Sequence, residues 1–175
     1  MENIFVREIM NNNVVTAPPE ISIRSIAKLM VDQGVGSIVI VKENRPVGII
    51  TEKDIVKAMA EGKDPDKVSA GEIMSKPLIT VRPNTPLEKA VSIMVERNVR
   101  RLPVVEEGEL VGIITMKDIG RLSPELLALS LRPFSRNPLR KKRYFSGICD
   151  LCGEYSDRLV EIGGEYVCEE CRGEV

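Results

Sequence analysis

The run VGIITEKDI at 47–55 returns as VGIITMKDI at 111–119. The offset is 64 residues, and it holds outward in both directions without a gap. Glu8-Ile9-Met10 recurs as Glu72-Ile73-Met74, Thr16 as Thr80, Pro19 as Pro83, Met30-Val31 as Met94-Val95, and Val35 as Val99. Chance does not produce that agreement, so residues 1–130 are two copies of one unit, 1–64 and 65–130.

Local signals give the pattern inside a copy. Val14-Val15-Thr16 is a short extended run ended by Pro18-Pro19. Ser22 reads as an N-cap, with Ile23, Ile26, Ala27 and Met30 at helical spacing and Gly34 as the stop. In the second copy Thr85 is the expected cap, Pro86 the first helical residue and Glu88 the far side of a capping box. SIVIV (37–41) reads as a buried strand, Glu43-Asn44-Arg45-Pro46 as a turn, and Val47-Gly48-Ile49-Ile50 as a second strand. Thr51 then caps a helix running to Gly62. The unit is strand, helix, strand, strand, helix (βαββα), giving a mixed α/β (α+β) fold. Units this small are marginal alone, so two of them are expected to bury their sheets together about a pseudo-two-fold axis. The cleft between related halves is a natural ligand site.

The repeated Gly-x-x-Thr-x-x-Asp carries two readings: Gly48, Thr51 and Asp54, then Gly112, Thr115 and Asp118. Thr as N-cap with Asp in the first turn satisfies orphan amides and suits the helix dipole, with no ligand needed. The same geometry offers free N–H groups to a phosphate and a carboxylate to the cis-diol of a ribose. Gly inside an apolar strand implies that something approaches the backbone closely. The residues alone leave both readings open.

The pieces IM (9–10 and 73–74), VTAPPE, ITVRPNTPL, VGSIVIV, VRRLPVV and the two GIIT-x-KD runs resemble a tandem cystathionine-β-synthase (CBS) domain pair, or Bateman module. The resemblance covers about residues 3–125. It implies adenosine-containing ligands such as AMP, ADP or ATP in two related clefts, and a dimer formed with a second CBS pair. Carried over, Asp54 and Asp118 would hold the ribose. Thr51, Thr115, Lys53 and Lys117 would face the phosphates. The backbone at Thr16-Ala17 and Thr80-Val81 would read the adenine edge, and Ile38 and Leu102 would lie against the base. The copies differ at Gly36-Ser37 against Arg100-Arg101. An arginine pair there would favour the more phosphorylated ligand, or else form an ion-paired surface. No nucleophile with a base is present and the chain has no His, so an enzyme is not expected.

Cys149-x2-Cys152, fifteen residues, then Cys168-x2-Cys171 is a metal signature. The segment between reads as a hairpin around Gly163-Gly164, too short to fold on its own core. It resembles a zinc ribbon, and Cys-x2-Cys-Gly at 149–153 is also similar to rubredoxin, so zinc is the first expectation and iron the second. The whole chain resembles archaeal CBS pairs with such a ribbon at 146–175.

Composition sets the outer bounds. The chain is 43% hydrophobic but 3% aromatic, so Val, Ile, Leu and Met must build the core. The start, MENIFVREIMNNN, lacks a signal-peptide pattern, no apolar run reaches membrane length, and all cysteines cluster in one segment. A cytoplasmic protein with no membrane partner is expected. Net charge is near zero over 1–130, +6 over 131–143 and −6 over 144–175. Ser123-Pro124 opens an expected short helix, ELLALSL, before a basic linker at 131–145. That arm could bind nucleic acid, but an acidic ribbon with few aromatics argues for pairing with acidic surface instead. The expectation is a regulatory adenosine-nucleotide sensor whose ribbon serves as output towards an effector protein. Its rivals are a ligand-regulated nucleic-acid binder, a rubredoxin-like redox protein and a scaffold with vestigial clefts.

Overall fold

A computed structural model describes residues 4–122 and 145–173. The expected helix ELLALSL and the basic stretch 131–143 lie outside the described residues.

The first repeat comprises β1 (Thr16–Ala17), α1 (Ile23–Gln33), β2 (Ser37–Lys42), β3 (Arg45–Thr51) and α2 (Glu52–Ala60), with its sheet in the order β1-β2-β3. Ser22 caps α1 by accepting the Ser25 N–H at 3.3 Å, and Gly34 ends it in the left-handed region. The helix turns Ile23, Ile26 and Met30 inward, as their spacing requires. The turn between β2 and β3 is tighter than the four residues expected from sequence. Glu43 and Asn44 alone make it, both at positive φ, and Arg45 and Pro46 already belong to β3.

The second repeat comprises α3 (Ala70–Ile73), α4 (Leu87–Arg97), β4 (Arg101–Glu106), β5 (Glu109–Thr115) and α5 (Met116–Leu122). Two expectations fail here, each for a local reason. Thr85 does not cap α4: its hydroxyl accepts the Arg82 N–H at 3.1 Å, and Pro86 stands at the N-cap with extended backbone. The incoming N-terminal segment holds this stretch extended, through Leu87 N–H to Ile4 O and Val6 N–H to Thr85 O, both 2.9 Å. The copy-two partner of β1 shrinks to a single bridge, Val81 beside Val104. In copy one, Val39 N–H donates to Val15 O at 3.2 Å. The residue 64 positions on is Pro103, which has no N–H to give Ile79.

The opening turn of each repeat packs into the other repeat. Val6 is buried with Leu87, Met94, Leu102, Ile114 and Ile119, and Ile9 and Met10 pack beside them. Ala70, with Ile73 and Met74, joins Ile26, Met30, Ile38, Ile40 and Ile50. The backbone repeats the exchange: Asn11 bridges Ile113, and Ser75 bridges Ile49. Those pairs interconvert under the 64-residue offset, which is the pseudo-two-fold relation in atomic form. It also explains the recurrent Glu-Ile-Met. Glu8 accepts the Phe5 N–H at 2.8 Å and Glu72 the Ser69 N–H at 2.7 Å, closing each turn, while Ile and Met enter the neighbouring core. Each fully buried Ile contributes about 1.5–3 kcal/mol of transfer free energy.

The C-terminal unit is a three-stranded antiparallel sheet, β6 (Phe145–Ile148), β7 (Tyr155–Ile162) and β8 (Glu165–Val167), in that order. Gly163 and Gly164, both at positive φ, form the expected two-residue turn between β7 and β8. β6 adds a strand ahead of the hairpin read from sequence. Among the described residues no helix is long and apolar enough to cross a membrane.

Candidate functional site

Thr51 and Asp54 sit where β3 passes into α2, and Thr115 and Asp118 where β5 passes into α5. The capping geometry is realised in both. Asp54 Oδ2 accepts the Thr51 N–H and hydroxyl, each at 2.7 Å. Asp118 Oδ2 accepts the same groups of Thr115 at 3.0 and 2.5 Å. One carboxylate oxygen closes the cap in each case, and the cap does not use Oδ1. Asp54 Oδ1 accepts the Ser75 hydroxyl at 3.5 Å, whereas among the described residues no hydrogen bond reaches Asp118 Oδ1. Both aspartates are half-buried, and Lys53 and Lys117 are exposed beside them.

The adenine-edge candidates lie at the same end of each sheet. Thr16 pairs with Val39, two residues along β2 from Ser37, which pairs with Thr51. In copy two, Val81 pairs with Val104, and Arg101 pairs with Thr115. Thr16 is exposed and Ala17 buried, while Thr80 and Val81 are both buried. Two expectations need correction. Ile38 and Leu102 are 0% exposed inside the two cores, so neither side chain can lie against a base. They point inward because alternate residues share one face of a strand, and Ile38 with Ile40, and Leu102 with Val104, form the core faces of β2 and β4.

Gly48 and Gly112 do admit a close approach, but the visitor is a side chain of the protein. A Cβ on Gly48 would stand 2.4 Å from Met74 Sδ, and one on Gly112 would stand 2.7 Å from Met10 Sδ. The glycine signal therefore belongs to the exchanged turns.

Arg101 reaches across to the first repeat, where its guanidinium donates to Gly36 O. The Glu52 carboxylate flanks the same space over Gly36. Arg100 is exposed. The two arginines thus diverge, with one at the seam between the repeats and one at the surface.

The four cysteines converge. Their sulfurs all lie within 4.8 Å of one another, and Cys152 Sγ is 3.8 Å from Cys168 Sγ. A tetrahedron with metal–sulfur bonds of about 2.3 Å has edges of about 3.8 Å, so the set fits one tetrathiolate ion. All four are free thiols. Burial pushes the Cys149 thiol up, but N–H donors from Cys152, Cys168 and Leu151 more than offset it and bring it to about 7. Hydrogen bonds with Cys168 and Cys152 hold the Cys171 thiol far above its ordinary value. Around the knuckle, Leu159 and Val167 are fully buried.

The CBS domain family matches residues 6–61 and 70–124, and this chain belongs to that family. Protein MK0525 of Methanopyrus kandleri is 40% identical over 180 residues, spanning 98% of this chain and 92% of its own. The crystal structure of the CBS domain pair of protein MJ0100, in complex with 5′-methylthioadenosine and S-adenosyl-L-methionine, superposes with a TM-score of 0.65 at 34% identity, covering 69% of this chain and 96% of that one. The structure of Hypoxic Response Protein I with two coordinated zinc ions has a TM-score of 0.62 at 32% identity, covering 68% of this chain and 98% of that one. The fold is thus a CBS pair carrying a four-cysteine ribbon.

Proposed function

We propose that this chain is a non-catalytic sensor of adenosine-containing ligands, with one cleft per repeat. The observation carrying it is Oδ1 of Asp54 and Asp118, the carboxylate oxygen that neither helix cap uses, at equivalent places beside an N-capping threonine. A cap needs one oxygen, and a ribose diol would take the other. The MJ0100 pair, seen with two adenosine compounds, supports this choice of ligand class. Thr51, Thr115, Lys53 and Lys117 would face a phosphate, and the backbone at Thr16-Ala17 and Thr80-Val81 would meet the base. Arg101, held at the repeat seam, would add phosphate preference.

The ribbon would hold zinc, or iron, through Cys149, Cys152, Cys168 and Cys171. When bound, the ion supplies structural cross-linking to a unit whose core is otherwise a few side chains. The protein would act in the cytoplasm, as a homodimer, with the ribbon as its face towards an effector. A thermal-shift screen of AMP, ADP, ATP, NAD and S-adenosyl compounds tests the sensor. A ligand at 100 times its Kd adds about 2.7 kcal/mol, which a melt resolves. No shift with any of them would sink it.

A further inference from the structure

The two repeats differ in what covers their adenine-edge threonines. Thr16 is exposed, whereas Thr80 is 2% exposed. Tyr155 of the ribbon meets it, with its hydroxyl 3.0 Å from Thr80 Oγ1. β6 presses on the same segment: a Cβ on Gly147 would stand 2.5 Å from Leu78 O, so only glycine fits. Across the seam, Arg45 donates to Gly153 O at 3.0 Å and to Glu154 Oε1 at 2.8 Å. A cavity of about 440 Å³, bordered by Arg82, Asn84, Glu106, Glu154 and Tyr155, runs along this junction.

These contacts share an origin in the knuckle. Gly153, Glu154 and Tyr155 directly follow Cys152, and Cys149 N–H donates to Glu154 O at 2.8 Å. The four-thiol turn therefore fixes the groups that touch the repeats. The edge they cover is the one that Pro103 leaves without a full strand. The ties are separable: the Arg45–Glu154 pair is largely exposed, and such pairs are weak and screened by salt.

We propose that the ribbon is a cover seated on the Thr80 edge of the second repeat, latched by Tyr155 and Arg45. Ligand entry at the second cleft then requires the ribbon to lift, while the first cleft stays open. This rests on the reading of Thr80-Val81 as an adenine edge. The two clefts become inequivalent, and ligand in the second transmits its presence by displacing the metal ribbon.

The test uses the full-length, metal-loaded chain and its Arg45→Ala/Tyr155→Phe variant, compared by amide hydrogen exchange. Exchange at 78–82 should rise about tenfold in the variant, with 14–18 unchanged and the four thiols still shielded from a thiol reagent. Unchanged exchange at 78–82, or an equal rise in both segments, overturns the cover. AMP is then titrated in an Asp54→Ala background, which leaves the second cleft alone. Affinity there should be severalfold tighter with the latch removed, and equal affinity overturns the gating. Absence of AMP binding in every protein defeats the adenosine reading, while the exchange result still decides whether the cover exists.

Discussion

The side chain of Met74 occupies the space that a Cβ on Gly48 would need, with Sδ 2.4 Å from that position. Sixty-four residues away, Met10 does the same to Gly112. Each repeat is therefore completed by the opening turn of the other, and the recurrent Met and Gly are the two halves of one contact.

That contact predicts a coupled pair. Gly48→Ala should destabilise the CBS pair by about 1–3 kcal/mol, the usual cost of overpacking. Met74→Ala alone should cost about 2–5 kcal/mol through the cavity it opens. The double variant should be more stable than the sum implies, because the added methyl enters the vacated space. Urea denaturation of all four proteins measures the coupling, and strict additivity would contradict the packing.

Arg101 predicts a ligand-dependent effect. Its guanidinium donates to Gly36 O beside Glu52, between the repeats. Arg101→Ala should weaken ATP about tenfold or more and adenosine little, since a charged hydrogen bond is worth about 1.5–3 kcal/mol. Equal losses for both ligands, by calorimetric titration, would make the residue a structural tie.

The knuckle predicts metal-dependent order confined to the ribbon. Purified protein should carry about one ion per chain, as four thiolates complete a tetrahedron. Cys149→Ser should lower that content sharply and lose the protection of amides in β6–β8. The CBS pair should keep its melting transition, because its two cores contain no cysteine. Metal analysis with hydrogen exchange checks both halves, and collapse of the whole chain would contradict the separation.

Much of this architecture was legible in the sequence. The 64-residue repeat exposed the duplicated unit, Ser22 and Gly34 marked α1, and the cysteine spacing marked the knuckle. Local signals carried those readings. What they could not carry was partnership over distance. Nothing near Thr85 shows that residues 4–6 will hold it extended, and Gly48 does not say which atom approaches it. Ile38 and Leu102 followed the family resemblance, while the sheet register placed them in the cores. Pro103 was a readable signal for the lost strand, since it stands where Val39 donates in the first copy. Tyr155 carried no local mark of its contact with Thr80.

On the proposed function, the oxygen not used in capping grips a sugar. Titrating the protein with AMP and with its 2′,3′-dideoxy analogue separates that grip from the cap. AMP should bind at least tenfold tighter, consistent with two hydrogen bonds to a carboxylate, and Asp54→Asn/Asp118→Asn should erase most of the difference. Equal affinity for the two nucleotides in the unmodified chain would reduce both aspartates to helix caps and remove the basis for the sensor.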